Sequence, residues 1–192
     1  MQSAAQRMTR EEYLAFEETS EIKHEFFNGE MFAMTGGTFE HSAIAVQIAS
    51  LLNARPSTKG CRPMNSDMRV RTPSGLDTYP DISVYCGEPH LTDNRLTLLN
   101  PVLIVEVLSP NTSSYDRGDK FKLYRSIPTL KDYLLVDSQQ MLVEHFRRTA
   151  NEEWILHVYQ QPEETVPLGS IDDSLALAEI YHGIQFAVPD ES

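Results

Sequence analysis

The run Pro101-Val102-Leu103-Ile104-Val105-Glu106-Val107-Leu108 decides how this chain is read. Apart from Glu106 it is apolar and rich in β-branched residues, the pattern of a strand buried on both faces. A carboxylate in such a strand is costly unless a partner or a ligand compensates it. A second acid, Asp81, lies in a similar run, Tyr79-Pro80-Asp81-Ile82-Ser83-Val84-Tyr85, and Lys120 follows shortly after. Two strand carboxylates and a nearby lysine suggest a metal-dependent hydrolytic site.

Working outward, Thr9-Arg10-Glu11-Glu12 is a capping box that starts a short helix reaching to about Glu18. Asn28-Gly29 between Ile22–Phe27 and Glu30–Met34 is a hairpin signal. Ile44, Ile48, Leu51 and Leu52 mark an amphipathic helix from Glu40 that stops before Pro56. Met64 to Arg71 reads as one strand, and Pro73-Ser74-Gly75 as a turn. The polar segment Glu88 to Asn94 is expected to form a loop beside the site. Ser109-Pro110-Asn111-Thr112 ends the Glu106 strand and caps a helix to about Ser126. Strands are expected at Asp132–Asp137, Met141–Arg147 and Trp154–Tyr159, the last two joined as a hairpin, and a short helix near Leu175–Tyr181. This order predicts one mixed α/β (α+β) domain over 1–192, its core about 9–185, with helices packed on a central sheet.

The 192 residues suit one domain. No apolar stretch is long enough to span a bilayer, and residues 1–7 lack the apolar core of a signal peptide. Cys61 and Cys86 are read as plain thiols, with the cytoplasm as the default compartment. A net charge of -12 argues against non-specific binding to nucleic acid or to an anionic membrane. Yet residues 41–76 carry Arg55, Lys59, Arg62, Arg69 and Arg71 against the single acid Asp67. That stretch is either a solvated face or a phosphate-facing surface, with Arg62, Arg69 and Arg71 the candidates for nucleic-acid contact.

Phosphodiester hydrolysis needs a divalent cation to neutralise the phosphate and lower the pKa of a bound water. Magnesium takes hard oxygen ligands and only one or two protein carboxylates. Asp81 and Glu106 can supply those, with the main-chain carbonyl of Val107 as a third oxygen. Asp116, Lys120 and Tyr124 fall at i, i+4 and i+8 of one helical face. Lys120 would there orient or deprotonate the attacking water, or stabilise charge. The competing readings are an Asp116–Lys120 surface pair, a turn role for Asp81, and a buried Glu106–Lys120 ion pair. His41, at a helix start, and Glu30, after the hairpin turn, are candidate supporting residues.

Pro80-Asp81, Glu106-Val107-Leu108-Ser109-Pro110 and Tyr115-Asp116-Arg117-Gly118-Asp119-Lys120 with Tyr124 together resemble the Uma-two family, bacterial proteins described as restriction-endonuclease-like. Tyr13-Leu14, the Glu25–Glu30 hairpin, His41, Asp132-Tyr133 and Val136-Asp137 extend the resemblance to residues 9–185. It implies the PD-(D/E)XK nuclease superfamily, a central mixed sheet flanked by helices, and Asp81 and Glu106 as metal ligands. The superfamily lysine lies two residues after the glutamate, where this chain has Leu108; Lys120 on the next helix matches the family's substitute. The expected function is a magnesium- or manganese-dependent endonuclease acting on duplex DNA as a homodimer, with the apolar hairpin Met141–Tyr159 as interface. The alternative is a nuclease-fold binding or regulatory module that does not cleave.

Overall fold

A computed structural model describes residues 7–55, 58–110 and 112–186. The chain begins with α1 (Arg10–Glu17), whose capping box forms in full: the Thr9 hydroxyl accepts from the Glu12 N–H and the Glu12 carboxylate from the Thr9 N–H. The hairpin β1 (His24–Phe27) and β2 (Glu30–Ala33) turns at Asn28 and Gly29, both at positive φ, as a two-residue turn of right-twisting strands requires. α2 (Phe39–Ala54) is capped by Thr38 and buries Ile44, Ile48 and Leu52. Pro56, the expected helix stop, lies outside the described residues.

The single strand expected at Met64–Arg71 is instead two. β3 (Cys61–Asn65) and β4 (Arg69–Arg71) belong to different sheets. Between them the Asn65 side chain accepts from the Asp67 N–H, and the Met68 N–H closes a turn on the Asn65 carbonyl. This side-chain turn is the chemistry asparagine offers a chain reversal. β5 (Asp77–Thr78), β6 (Ile82–Cys86), β7 (Leu91–Thr92) and β8 (Thr97–Leu98) follow, then β9 (Leu103–Leu108).

The helix expected after β9 is continuous but not uniform: α3 (Ser113–Tyr115), a π turn (Asp116–Lys120) and α4 (Phe121–Tyr124). Thr112 is its N-cap residue without a side-chain cap bond, and Asn111 lies outside the described residues. β10 (Asp132–Asp137), β11 (Val143–Arg148) and β12 (Trp154–Tyr159) stand where expected. β13 (Thr165–Leu168) and β14 (Asp173–Ala176) form an added hairpin before α5 (Leu177–Ile180).

The mixed α+β fold carries two six-stranded sheets, in the orders β2-β1-β5-β4-β8-β7 and β12-β11-β10-β9-β6-β3. β9 lies within the second sheet, parallel to β10 and antiparallel to β6. Its odd-numbered residues Leu103, Val105 and Val107 pack with α2 and the C-terminal β13–β14–α5 cap. Ile104 and Leu108 pack on the other face with Phe121, Tyr124, Tyr133, the first-sheet residues Val70 and Leu98, and Leu76 of the turn before β5. Strand alternation therefore sends Glu106 to the face that carries the π turn and α4. Cys61 and Cys86, read as thiols, are a directly opposed pair on β3 and β6 and are joined by a disulfide. No helix among the described residues is long and apolar enough to cross a membrane.

Candidate active site

The pairing of Ile82 with Val105 brings Asp81, at the mouth of β6, beside Glu106. The Asp81 N–H points to the Glu106 carboxylate at 3.4 Å, and the Val107 N–H donates to the Asp81 carboxylate at 2.8 Å. Both acids line one cleft of about 170 Å³. Lys120 is buried there, its amine 3.0 Å from Glu106, 2.9 Å from Glu25 and 3.5 Å from Asp116. The last contact is an i,i+4 pair on one helical face, within the π turn. Tyr124 donates to Glu106 at 2.7 Å, and the Tyr133 hydroxyl donates to the Asp116 carbonyl at 3.1 Å.

The Lys120 amine thus reaches Glu106 from the helix, on the strand face that a lysine at position 108 would share. Leu108 itself is buried among apolar side chains. His41, in the first turn of α2, sets its Nε2 3.2 Å from Asp81. Gly37 permits this close approach, because a Cβ there would stand 2.5 Å from the His41 ring.

Burial pushes the Glu106 carboxyl above its ordinary range; Lys120 opposes the shift, and Asp116 and Asp81 add to it. Asp116 is raised for the same leading reason. Burial works to discharge Lys120, but Glu106, Glu25 and Asp116 outweigh it and hold the amine well above its usual range. His41 is raised by its hydrogen bond to Asp81. Four carboxyl groups therefore share the cleft with one lysine and one histidine, and burial favours the neutral forms of Glu106 and Asp116. Among the described residues no group of three or more His, Cys, Asp or Glu side chains is placed to hold a metal ion. A cation here would rest on fewer side chains, as magnesium does.

Glu25 is the acid the sequence reading passed over. It is buried on β1, takes a hydrogen bond from Thr78 at 2.5 Å, and pairs with Lys120. Its signal is of the same kind as that of Glu106: an acid followed by Phe26 and Phe27 in a strand. Glu30, proposed as the supporting acid, is exposed and does not line the cleft. The segment 88–94 does not line it either.

The basic stretch is not an open phosphate-facing surface. Arg69 is buried, donates to Thr97 at 2.8 Å, and lies 3.6 Å from Asp93. Arg71 pairs with Asp77 and with Asp93, both at 2.6 Å. Arg55 joins Asp173 and Glu179, and Lys59 joins Asp172. Arg62, on β3, is exposed. Arg69→Met is accordingly expected to lower stability by about 1–3 kcal/mol, the cost of leaving buried polar partners unsatisfied. Urea unfolding checks this, and any activity per folded molecule should be retained.

A family model described as "Uma2: Putative restriction endonuclease" matches residues 10–178. An uncharacterized Synechocystis protein, slr1290, is 38% identical over 181 residues, 94% of each chain. A second from the same organism, sll1609, is 36% identical over 151 residues, 78% of this chain and 85% of its own. In three dimensions the chain resembles a crystal structure from Anabaena variabilis described as "a putative nuclease belonging to DUF820". The TM-score is 0.74 at 21% identity, covering 91% of this chain and 97% of that one. The fold is restriction-endonuclease-like, and the chain belongs to the Uma2 family.

Proposed function

We propose that the chain is a metal-dependent DNA endonuclease of the PD-(D/E)XK kind that hydrolyses phosphodiester bonds. The observation that carries the reading is the excess of carboxylates around one buried lysine in the cleft. An ion pair needs one carboxylate per lysine; a bound cation would let the raised carboxyls of Glu106 and Asp116 ionise and would offset the surplus. The donor set of hard oxygens suits Mg2+, and Mn2+ equally. Asp81 and Glu106 would hold the ion, with the Val107 carbonyl as a further oxygen. When bound, it would neutralise phosphate charge and lower the pKa of a water.

The remaining residues position and stabilise. Tyr124 fixes the Glu106 carboxylate, and the Val107 N–H and His41 fix that of Asp81. Lys120, held protonated by its carboxylates, serves as a cation facing the phosphate and orienting the water rather than as a base. The test is incubation of plasmid and oligonucleotide DNA with Mg2+ or Mn2+, against a chelator control. Cleavage that requires the metal supports the reading, and intact DNA under all conditions overturns it. The locking of Lys120 by three carboxylates favours a second reading, a module that binds DNA without cutting. Salt-sensitive binding with no cleavage would select it.

The homodimer expectation gains a specific edge. β12 ends its sheet and exposes Ile155, Leu156 and Val158. An apolar edge strand is a ready template for pairing with a second copy. Leu156→Lys with Val158→Lys is expected to convert a dimer to a monomer in analytical ultracentrifugation. A wild-type monomer at high concentration would remove the dimer from the proposal.

A further inference from the structure

A second cavity, of about 500 Å³, adjoins the acidic cleft and differs from it in chemistry. Its walls are Phe27, Phe32, Tyr115 and Leu123, with Asp119 and Lys122 at the rim. Phe32 is 50% exposed and Tyr115 37%. Neither ring is part of the hydrophobic cores; both face this cavity instead. The two cavities are adjacent and share Glu25, Phe32 and Tyr115 in their linings. Phe32 stands directly across from Glu25 in the β1–β2 register, and Tyr115 immediately precedes the π turn that delivers Lys120. The Lys120 amine lies 5.9 Å from the Tyr115 ring centroid.

A ligand that carries a phosphate into the acidic cleft and a flat aromatic body into the neighbouring cavity would fill both. We propose that this cavity is a subsite for an unpaired nucleobase of DNA, adjacent to the scissile phosphate, stacked on Phe32 and Tyr115. The inference rests on the nuclease reading and sharpens its substrate to DNA with a single-stranded or unpaired position. A base within a duplex has both faces covered by its neighbours and cannot enter such a cavity without leaving the stack. Aromatic side chains beside basic groups are how proteins hold single strands with little sequence preference. Lys122 supplies a rim cation, now spent on the exposed Asp119 at 2.8 Å and free to move to a backbone phosphate. Arg69 and Arg71, the arginines expected to grip a duplex backbone, are committed to internal pairs, which leaves stacking as the stronger hold.

The test measures binding apart from cleavage. A single-stranded oligodeoxynucleotide carrying 2-aminopurine, and the same strand annealed to its complement, are titrated with the full chain in calcium buffer. Wild type, Phe32→Ala and Phe32→Trp are compared, with thermal melts confirming that each is folded. The single strand should bind more tightly than the duplex. Phe32→Ala should weaken its binding roughly 5- to 150-fold, the range that loss of one stacked base implies. Phe32→Trp should preserve it, and duplex affinity should be the same in all three. A duplex bound as tightly as the single strand, or single-strand affinity indifferent to Phe32→Ala, overturns the subsite. Phe32-dependent binding without cleavage in magnesium would keep the subsite and discard the nuclease. Cleavage with Phe32-independent binding would do the reverse, and no binding of either DNA would overturn the subsite outright.

Discussion

Asp81→Asn is expected to lower metal-dependent DNA cleavage by about 10²–10⁴-fold, the effect of removing several kcal/mol of metal-supplied charge stabilisation. The substitution is chosen because it removes charge while sparing structure. Asparagine keeps an oxygen to accept the Val107 N–H that Asp81 now accepts at 2.8 Å. Its partner His41 is 19% exposed, so the lost charge strands no fully buried group. A second readout separates metal binding from chemistry. A divalent ion at 100 times its Kd stabilises the folded state by about 2.7 kcal/mol, which in a domain of this size raises Tm by roughly 5–10 °C. Wild type should show that rise with Mg2+ or Mn2+, and Asp81→Asn should lose most of it. A Tm indifferent to divalent ions in wild type would show that the carboxylates hold no metal. Unchanged cleavage in the variant would remove Asp81 from the site.

What the chain disclosed before folding depended on how local each signal was. β9, β10 and β12 are legible because each is an apolar run with its own period. The α1 cap and the Asn28-Gly29 turn are legible because their hydrogen bonds close within a few residues. Glu106 declared itself as a charge among β-branched residues, and Asp81 stood out in a similar run. Glu25 carried the same signal more faintly, because its strand is only four residues long. What stayed hidden was set at long range. The split of 64–71 into two strands is decided by their partners, β6 for one and β5 and β8 for the other. Arg69 and Arg71 read as a basic surface because Asp77 and Asp93, which neutralise them, come from other strands and turns. The disulfide likewise joins residues 25 apart in sequence, which cross-strand register alone brings together. The π turn is written in no propensity; it coincides with the pull of three carboxylates on one lysine.

That pull is the basis of the largest stability effect expected here. Lys120→Met should destabilise the protein by about 3–5 kcal/mol, because it leaves Glu25, Glu106 and Asp116 buried without their shared cation. Methionine matches the lysine stem in length, so the loss reports charge rather than a cavity. Adding Glu106→Gln in that background should recover part of the loss, since one of the stranded charges is then gone while an amide oxygen remains to accept from Tyr124. Chemical denaturation of the two single variants and the double variant forms a cycle whose coupling term is the Lys120–Glu106 interaction. A coupling near zero would contradict the ion-pair geometry. Activity must then be read on folded protein. If Lys120 only holds carboxylates together, Lys120→Met stabilised by Mg2+ should cut DNA at nearly the wild-type rate. If it also faces the phosphate and orients the water, the rate falls about 10²–10⁴-fold even where the metal-induced Tm shift is intact. We expect the second outcome. Three acids are more than one structural lysine needs, and the amine they hold lies in the same cleft as Asp81 and Glu106.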